Sequence, residues 1–257
     1  MMQPDIAAPA SAGFQRVSSD HGVQWWSAGW QLLFHRNAAG VWIGMVLAAT
    51  IFLLLLDKLG GVGMIVGTLA WFVLAGGLMI AARKTDAGTP PAFADLFGGF
   101  GPALGALVIG ALVVSACVLV IYVALAAAGV VALIGAIISA AIATVLNGGL
   151  IGLGILAGFG VTSALMFLAA LLLLAPVAMA SWLAPALIVF KQRPPVDALK
   201  ESLAACRANL LALTIYGLLW ILFGVLATVF FGLGWLVLAP LTVLSNYAAY
   251  KDLFEVA

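Results

Sequence analysis

Charge is what this chain has least of. Only 7% of its 257 residues are Asp, Glu, Lys or Arg, against 66% hydrophobic. Soluble domains carry about 25% charged and 45–50% apolar residues. A water-soluble fold of this size has too little polar surface to cover so much apolar area, which leaves lipid as the solvent. Ten basic and nine acidic residues give a formal net charge of +1, without the basic excess that nucleic-acid binding needs. The two cysteines, Cys117 in an apolar run and Cys206 in a polar one, form no disulfide framework. Two histidines, His21 and His35, have no Cys or carboxylate at ligand spacing, so no metal or cofactor is expected. The opening MMQPDIAAPASAGFQRVSSD has its first basic residue only at Arg16 and no apolar core after it. That is unlike a signal peptide, and residues 1–20 read as a mobile cytoplasmic tail.

What the chain does have is long apolar runs. A helical span needs about 20 apolar residues, and the runs at 38–56, 61–82, 101–127, 165–190, 211–231 and 234–250 meet or approach that length. The expected fold is an all-α polytopic transmembrane bundle of about six spans over residues 21–257. Residues 96–190 carry no charge at all. Within them, 128–164 is built largely from Gly and Ala. On a helical wheel Ala132, Ala136, Ser139, Ala143 and Asn147 share one face, and Val131, Ile134, Ile138 and Val145 the other, a pattern suited to close helix packing in membranes. GGLIGLGILAGFG at 148–160 is too glycine-rich for a regular span, so 128–164 reads as a short helix plus a broken segment. Two further spans there would make eight.

Three amphipathic stretches interrupt the apolar ones. In 191–210, KQRPPVDALKESLAACRANL, the residues Val196, Leu199, Leu203, Cys206 and Leu210 fall in an arc of about 80° at about 100° per residue. Lys200 and Arg207 flank that arc, and Asp197 and Glu201 point away. In 21–37, Val23, Trp26, Trp30, Leu33 and Phe34 form an apolar face that Trp25 and Leu32 break. In 90–102, Phe93, Leu96, Phe97 and Phe100 do the same. Apolar stripe, basic shoulders and polar outer face describe helices in the headgroup layer, with basic stems snorkelling along the boundary. Each stretch precedes an apolar hairpin, so the chain reads as three copies of interfacial helix, span, span: 21–84, 90–190 with the insert, and 191–252. Coincidence is the alternative, since many membrane loops are amphipathic.

DLFGGF at 95–100, APALIVF at 184–190 and PPVDALKESLAACRANL at 194–210 resemble an uncharacterised family of bacterial multi-spanning inner-membrane proteins. That family is similar to the membrane domain attached to some glycerophosphodiester phosphodiesterases. The resemblance implies a bacterial cytoplasmic membrane and a six-span plan. It brings no catalytic residues, because the family has none established.

Reactive constellations are missing as well. No ionisable residue lies near the middle of a span, where proton relays and ion paths place them. Gly152, Gly154 and Ala157 match a dinucleotide fingerprint only nominally, lacking the strand before and the acid after. Candidate headgroup-facing residues are Arg36, Arg83, Lys84, Lys191, Arg193, Lys200 and Arg207. Pro176, Pro185 and Pro240 sit inside apolar runs, where proline removes a hydrogen bond and kinks a helix. With Ser181 and Asn246 they are the candidate kink or cavity residues, and Asn246 is expected inside the bundle. The leading expectation is a non-enzymatic integral membrane protein that contacts the lipid bilayer or works with a membrane-protein partner or a second copy of itself. A permease-like carrier for a small or lipid-like molecule is the runner-up, and a lipid-acting enzyme third.

Basic residues set orientation. Nine of the ten, all except Lys58, fall on one side of the six-span plan, so both termini are expected in the cytoplasm. A single cysteine placed beside Lys58 should react with a membrane-impermeant maleimide from the periplasmic side of intact cells. Labelling from the cytoplasmic side would sink this topology.

Overall fold

A computed structural model describes residues 13–35, 38–147, 151–229 and 231–255, with side chains undescribed at 64, 139–147 and 151–159. Among the described residues the secondary structure is helical: α1 (His21–Phe34), α2 (Ala39–Asp57), α3 (Gly61–Asp86), a 3-10 segment (Phe93–Phe100), α4 (Leu104–Asn147), α5 (Ile151–Trp182), α6 (Ala184–Lys191), α7 (Pro195–Ala208), α8 (Leu210–Val229) and α9 (Trp235–Phe254). Among the described residues five stretches are long and apolar enough to cross a membrane: α2, α3, Leu104–Ile138, Gly160–Lys191 and α8. The sixth expected span, α9, forms a helix of 20 residues but falls outside that set. It carries Lys251 and Asp252 at one end, and it buries Ser245, Tyr247 and Tyr250 instead of displaying an apolar surface all round.

The chain divides into two compact units, residues 1–112 with 179–257, and residues 113–178. The second unit corrects the reading of the Gly/Ala insert. Helix α4 runs on without interruption to Asn147, and α5 begins at Ile151, taking Gly152, Gly154, Gly158 and Gly160 into regular helix. The insert therefore lengthens two helices; it does not form a short helix and a broken segment. Glycine weakens a helix in water by up to about 1 kcal/mol, but in hydrocarbon the alternative is an unpaired backbone, which costs more. Within this unit Gly129, Ala132, Ala136, Thr162, Ser163 and Met166 line a cavity of about 300 Å³, while Val131, Ile134 and Ile138 are exposed. The two faces separate as the wheel requires. The rest of that wheel, Ser139, Ala143, Val145 and Asn147, lies outside the described side chains.

In the first unit α1 is wedged against α8 and α9, the 3-10 segment lies on α3, and α6 bridges α3 and α7. Glycines make these approaches possible. A Cβ on Gly22 would clash with the Ala212 carbonyl oxygen, and one on Gly29 would sit 2.8 Å from the Ser245 nitrogen. The 3-10 segment is seated the same way, Gly77 against the Leu96 carbonyl and Gly99 against the Val73 carbonyl.

These approaches revise the amphipathic faces. Helix α1 buries Gly22, Trp25, Trp26, Gly29 and Leu33, so Trp25, which broke the sequence pattern, is core at 2% exposure. Val23, Trp30 and Phe34, assigned to one face with Trp26 and Leu33, are exposed. Helix α7 buries Ala198, Leu199, Ser202, Ala205 and Cys206 and leaves Val196 exposed and Leu203 half-buried, while Leu210, the first residue of α8, is exposed. The 3-10 segment buries Leu96 and exposes Phe93, Phe97 and Phe100. Each stretch thus carries two neighbouring faces: one that meets protein at Gly, Ala or Ser positions, joined in α1 by Trp25, Trp26 and Leu33, and one whose large apolar residues are uncovered. Hydrophobic periodicity picks out the second, because close packing between membrane helices favours small side chains over apolar ones.

Alanine at both Gly22 and Gly29 should unseat α1. Overpacking of this kind costs about 1–3 kcal/mol per site, so the detergent-solubilised double variant should melt several degrees below the wild type. An unchanged Tm would contradict the wedge.

Candidate functional site

Polar side chains gather where α3 and α9 end and α1 begins. Helices α2 and α3 form a hairpin through Gly60, whose φ of 65° suits glycine, so the end of α3 returns to the start of α2. Trp42 Nε1 donates to Thr85 Oγ1 at 3.3 Å across that end. Asp57 and Lys58 lie at the other end, about 28 Å away for a 19-residue helix. On the crowded side, Lys251 Nζ meets Asp86 Oδ2 at 2.7 Å, and Tyr247 Oη donates to the same oxygen at 3.0 Å. His21 Nδ1 and Trp25 Nε1 meet Asp252 Oδ2 at 2.7 and 2.8 Å. Arg83 pairs with Glu255 while its guanidinium lies 3.4 Å above the Phe190 ring. Lys84 pairs with Asp95, whose carboxylate also accepts the Ala92 N–H at 2.9 Å. A cavity of about 500 Å³ opens among these groups, lined in part by Gln31, His35, Asp86, Lys251, Asp252 and Glu255.

The N-terminal segment is tied to this layer. The Gln15 N–H donates to the Leu253 carbonyl at 2.9 Å, and Phe14 packs edge-on against Phe254. Asn209, at the end of α7, accepts the Val17 N–H at 2.8 Å and donates to the Gln15 carbonyl at 3.1 Å. One primary amide thereby pairs with the backbone on both sides of Arg16, as a neighbouring strand would. Residues 13–17 are thus bonded to the folded unit, which narrows the expected tail; residues 1–12 lie outside the described part.

Helix α7 starts at Pro195, where the missing N–H costs little. It reaches into the break between α5 and α6. There Leu183 leaves helical geometry just before Pro185, and its N–H donates to Ser202 Oγ at 3.2 Å. The same hydroxyl donates to the Met179 carbonyl at 2.7 Å. In an unbroken helix Leu183 N–H would bond Met179 C=O directly; here a hydroxyl from another helix is spliced into that bond.

The kink and cavity candidates separate. Pro185 is buried in the first turn of α6, and Pro240 is buried within α9. Pro176 is exposed within α5, and Ser181 is half-buried near the end of that helix. Asn246 turns inward as expected, its Oδ1 accepting Tyr216 Oη and Trp182 Nε1, each at 2.8 Å. Tyr216 Oη is also 2.8 Å from Ser245 Oγ, and its ring stacks on Trp26 at 4.9 Å.

Of the headgroup candidates, Arg83 and Lys84 are ion-paired as above, and Arg193 Nε meets Glu201 Oε2 at 3.0 Å. Lys191 Nζ reaches the Gly13 carbonyl at 3.5 Å and lies 5.1 Å from the Phe254 ring centroid. Lys200 and Arg207 are exposed and have no ion-pair partner among the described residues. Arg36 lies outside those residues. Sequence reasoning missed Asp86, Asp252, Ser202 and Tyr216. For Asp86, Asp252 and Tyr216 the one signal was polarity inside or near the edge of apolar runs, the signal that did locate Asn246; Ser202, within the polar stretch 191–210, carried none. Among the described residues, no three His, Cys, Asp or Glu side chains are placed to share a metal ion.

These features define a polytopic α-helical membrane protein. Over 61 residues, 24% of this chain, it is 49% identical to a protein of Burkholderia thailandensis described as a "Probable inner membrane protein", and the match covers 22% of that relative's length. No protein-family description matches the chain, and no solved structure matches it. The apolar helices and this partial likeness support a bacterial inner-membrane protein.

Cys206 provides a test of the α7 seat. Burial pushes its thiol up to about 12, which leaves a thiolate fraction on the order of 10⁻⁴ at pH 8. In a Cys117→Ser background, maleimide should leave Cys206 unmodified until denaturant is added. Rapid labelling of the native protein would show that α7 is not docked in this way.

Proposed function

We propose that the protein is a non-enzymatic component of the bacterial inner membrane that acts through its contact with lipid, with both termini in the cytoplasm. One observation carries this reading. The three amphipathic stretches each bury one face against protein and leave Val23, Trp30 and Phe34, Phe93, Phe97 and Phe100, and Val196 and Leu210 uncovered. An uncovered apolar strip next to a polar face suits a helix lying at the boundary between acyl chains and headgroups. The Trp30 and Phe34 rings pack at a tilt with centroids 4.7 Å apart, and aromatic rings favour the membrane interface.

A permease-like carrier is the second reading, favoured by the cavity of about 500 Å³ among Asp86, Lys251 and Asp252. It ranks lower because that cavity lies at the helix ends, not midway along the spans.

Environment-sensitive fluorophores on single cysteines at Val23, Phe97 and Val196, in protein reconstituted into liposomes, should be quenched by nitroxide-bearing lipids and shielded from aqueous iodide. Quenching by iodide alone would remove the lipid-contact reading. Turnover of lipid by the purified protein would overturn the non-enzymatic part.

A further inference from the structure

The cavity of about 500 Å³ at the crowded end of the first unit has an unbalanced wall. Three carboxylates line it: Asp86, Asp252 and Glu255. Lys251 pairs with Asp86, and Arg83 with Glu255. Asp252 has no Lys or Arg partner among the described residues. An imidazole and an indole hold it instead, since His21 and Trp25 both meet its Oδ2. Asp252 is therefore a half-buried carboxylate whose Oδ1 has no partner among the described residues. Asp86 likewise uses Oδ2 alone, for Lys251 and Tyr247.

Size and lining narrow what fits. Small-molecule sites occupy roughly 300–1,000 Å³, so the cavity suits an organic ligand. An anion would face three carboxylates, with Lys251 the one Lys or Arg on the described wall. A bare divalent cation is a poor match, because no three His, Cys, Asp or Glu side chains among the described residues are placed to share one. A quaternary ammonium is held by aromatic faces, and the aromatic residue on this wall, Tyr247, already donates to Asp86. A primary ammonium carries three N–H donors and no acceptor. The wall meets that need with carboxylate oxygens of Asp252 and Asp86 and the side-chain carbonyl of Gln31, and it adds an apolar part in Ala28, Leu32 and Ala248.

We infer that this cavity binds a primary ammonium group, with Asp252 as its counter-charge and Asp86 and Gln31 as further acceptors. Two sources carry that chemistry: the ethanolamine headgroup of a phospholipid and a small free amine. The acidic side is set before a ligand arrives. His21 and Trp25 fix the Asp252 carboxylate, and Gln15, itself on the wall, donates to the neighbouring Leu253 carbonyl at 2.9 Å. Groups already held in place lose little freedom on binding. The inference goes beyond the lipid-contact reading and does not depend on it.

The test uses the full chain. In detergent, binding of radiolabelled ethanolamine is measured by equilibrium dialysis, with choline as competitor. In bilayers of equal parts phosphatidylethanolamine and phosphatidylcholine, the lipids retained after gentle extraction are counted by native mass spectrometry. Saturable ethanolamine binding that choline does not displace supports the site with a free amine. Retention of phosphatidylethanolamine over phosphatidylcholine supports it with the headgroup. Asp252→Asn removes the charge but keeps an acceptor for Trp25, and it should weaken either result roughly tenfold or more. Ala28→Leu fills part of the cavity while leaving every ion pair in place, and it should weaken binding too at the wild-type Tm. If Asp252→Asn lowers the Tm, Ala28→Leu decides alone. A wild type that binds neither probe, choline that displaces ethanolamine as well as unlabelled ethanolamine does, or binding that survives these variants overturns the site. Nitroxide quenching of the fluorophores at Val23, Phe97 and Val196 does not depend on this cavity, so the two readings fail separately.

Discussion

A single hydroxyl holds together the part of the molecule where its polar segments meet. Pro185 cannot donate a backbone hydrogen bond, and its ring crowds the preceding turn, so α5 cannot run straight into α6. In an apolar environment each backbone group freed by such a break needs a partner, since there is no water to supply one. Ser202 Oγ accepts from Leu183 and donates to Met179, which allows the chain to turn without leaving those two groups bare. Cys206 Sγ reaches the same Met179 carbonyl at 3.5 Å. Helix α7 is consequently a structural member of the bundle and cannot be a loosely attached loop.

Much else follows from that seat. With α6 redirected, Phe190 comes beneath the Arg83 guanidinium and against Tyr247 and Tyr250, which joins the end of α3 to the end of α9. With the small-residue face of α7 occupied by protein, its larger side chains face outward beside Lys200 and Arg207. Asn209, at the last turn, then meets the N-terminal segment. The same hydrogen-bonding demand explains the aromatic cluster at α8 and α9, where Tyr216, Ser245, Asn246 and Trp182 satisfy one another. Tyr216, Ser245, Asn246 and Trp182 are paired to each other within the bundle, while the basic groups at its crowded end are partly ion-paired and partly not. The free ones are where a ligand or a lipid can add a contact.

The sequence was legible wherever a rule acts locally. Runs such as GVGMIVGTLAWFVLAGGLMIAA reveal a span from their composition, and α3 runs over Gly61–Asp86. Pro194 and Pro195 mark the start of α7. Asn246 could be placed inside because a primary amide facing lipid is costly whatever its neighbours. Reading was less successful where two non-polar faces compete. In α1 the periodicity selected Trp30 and Phe34, yet the protein closes over Gly22, Trp25 and Gly29. A hydrophobic pattern records size and polarity, but it does not say which stripe meets helices and which meets lipid. In the Gly-rich stretch 151–160, propensities measured in water misled, because a helix in hydrocarbon competes with unpaired backbone and not with hydrated coil.

By itself, then, the sequence determined the helical membrane class, the approximate positions of five of the six expected spans, the inward turn of Asn246 and the presence of three amphipathic stretches. Each follows from composition within about 20 residues and from the cost of polar groups in hydrocarbon. Only the tertiary structure decided which face of α1 and α7 is protein, that Ser202 mends the break before Pro185, and which basic residues are already neutralised. Those outcomes depend on partners far apart along the chain: His21 and Trp25 meet Asp252 across separations of 231 and 227 residues. Contacts of that range depend on how closely the backbones approach, and that is set jointly by small residues on several helices, which no local pattern records.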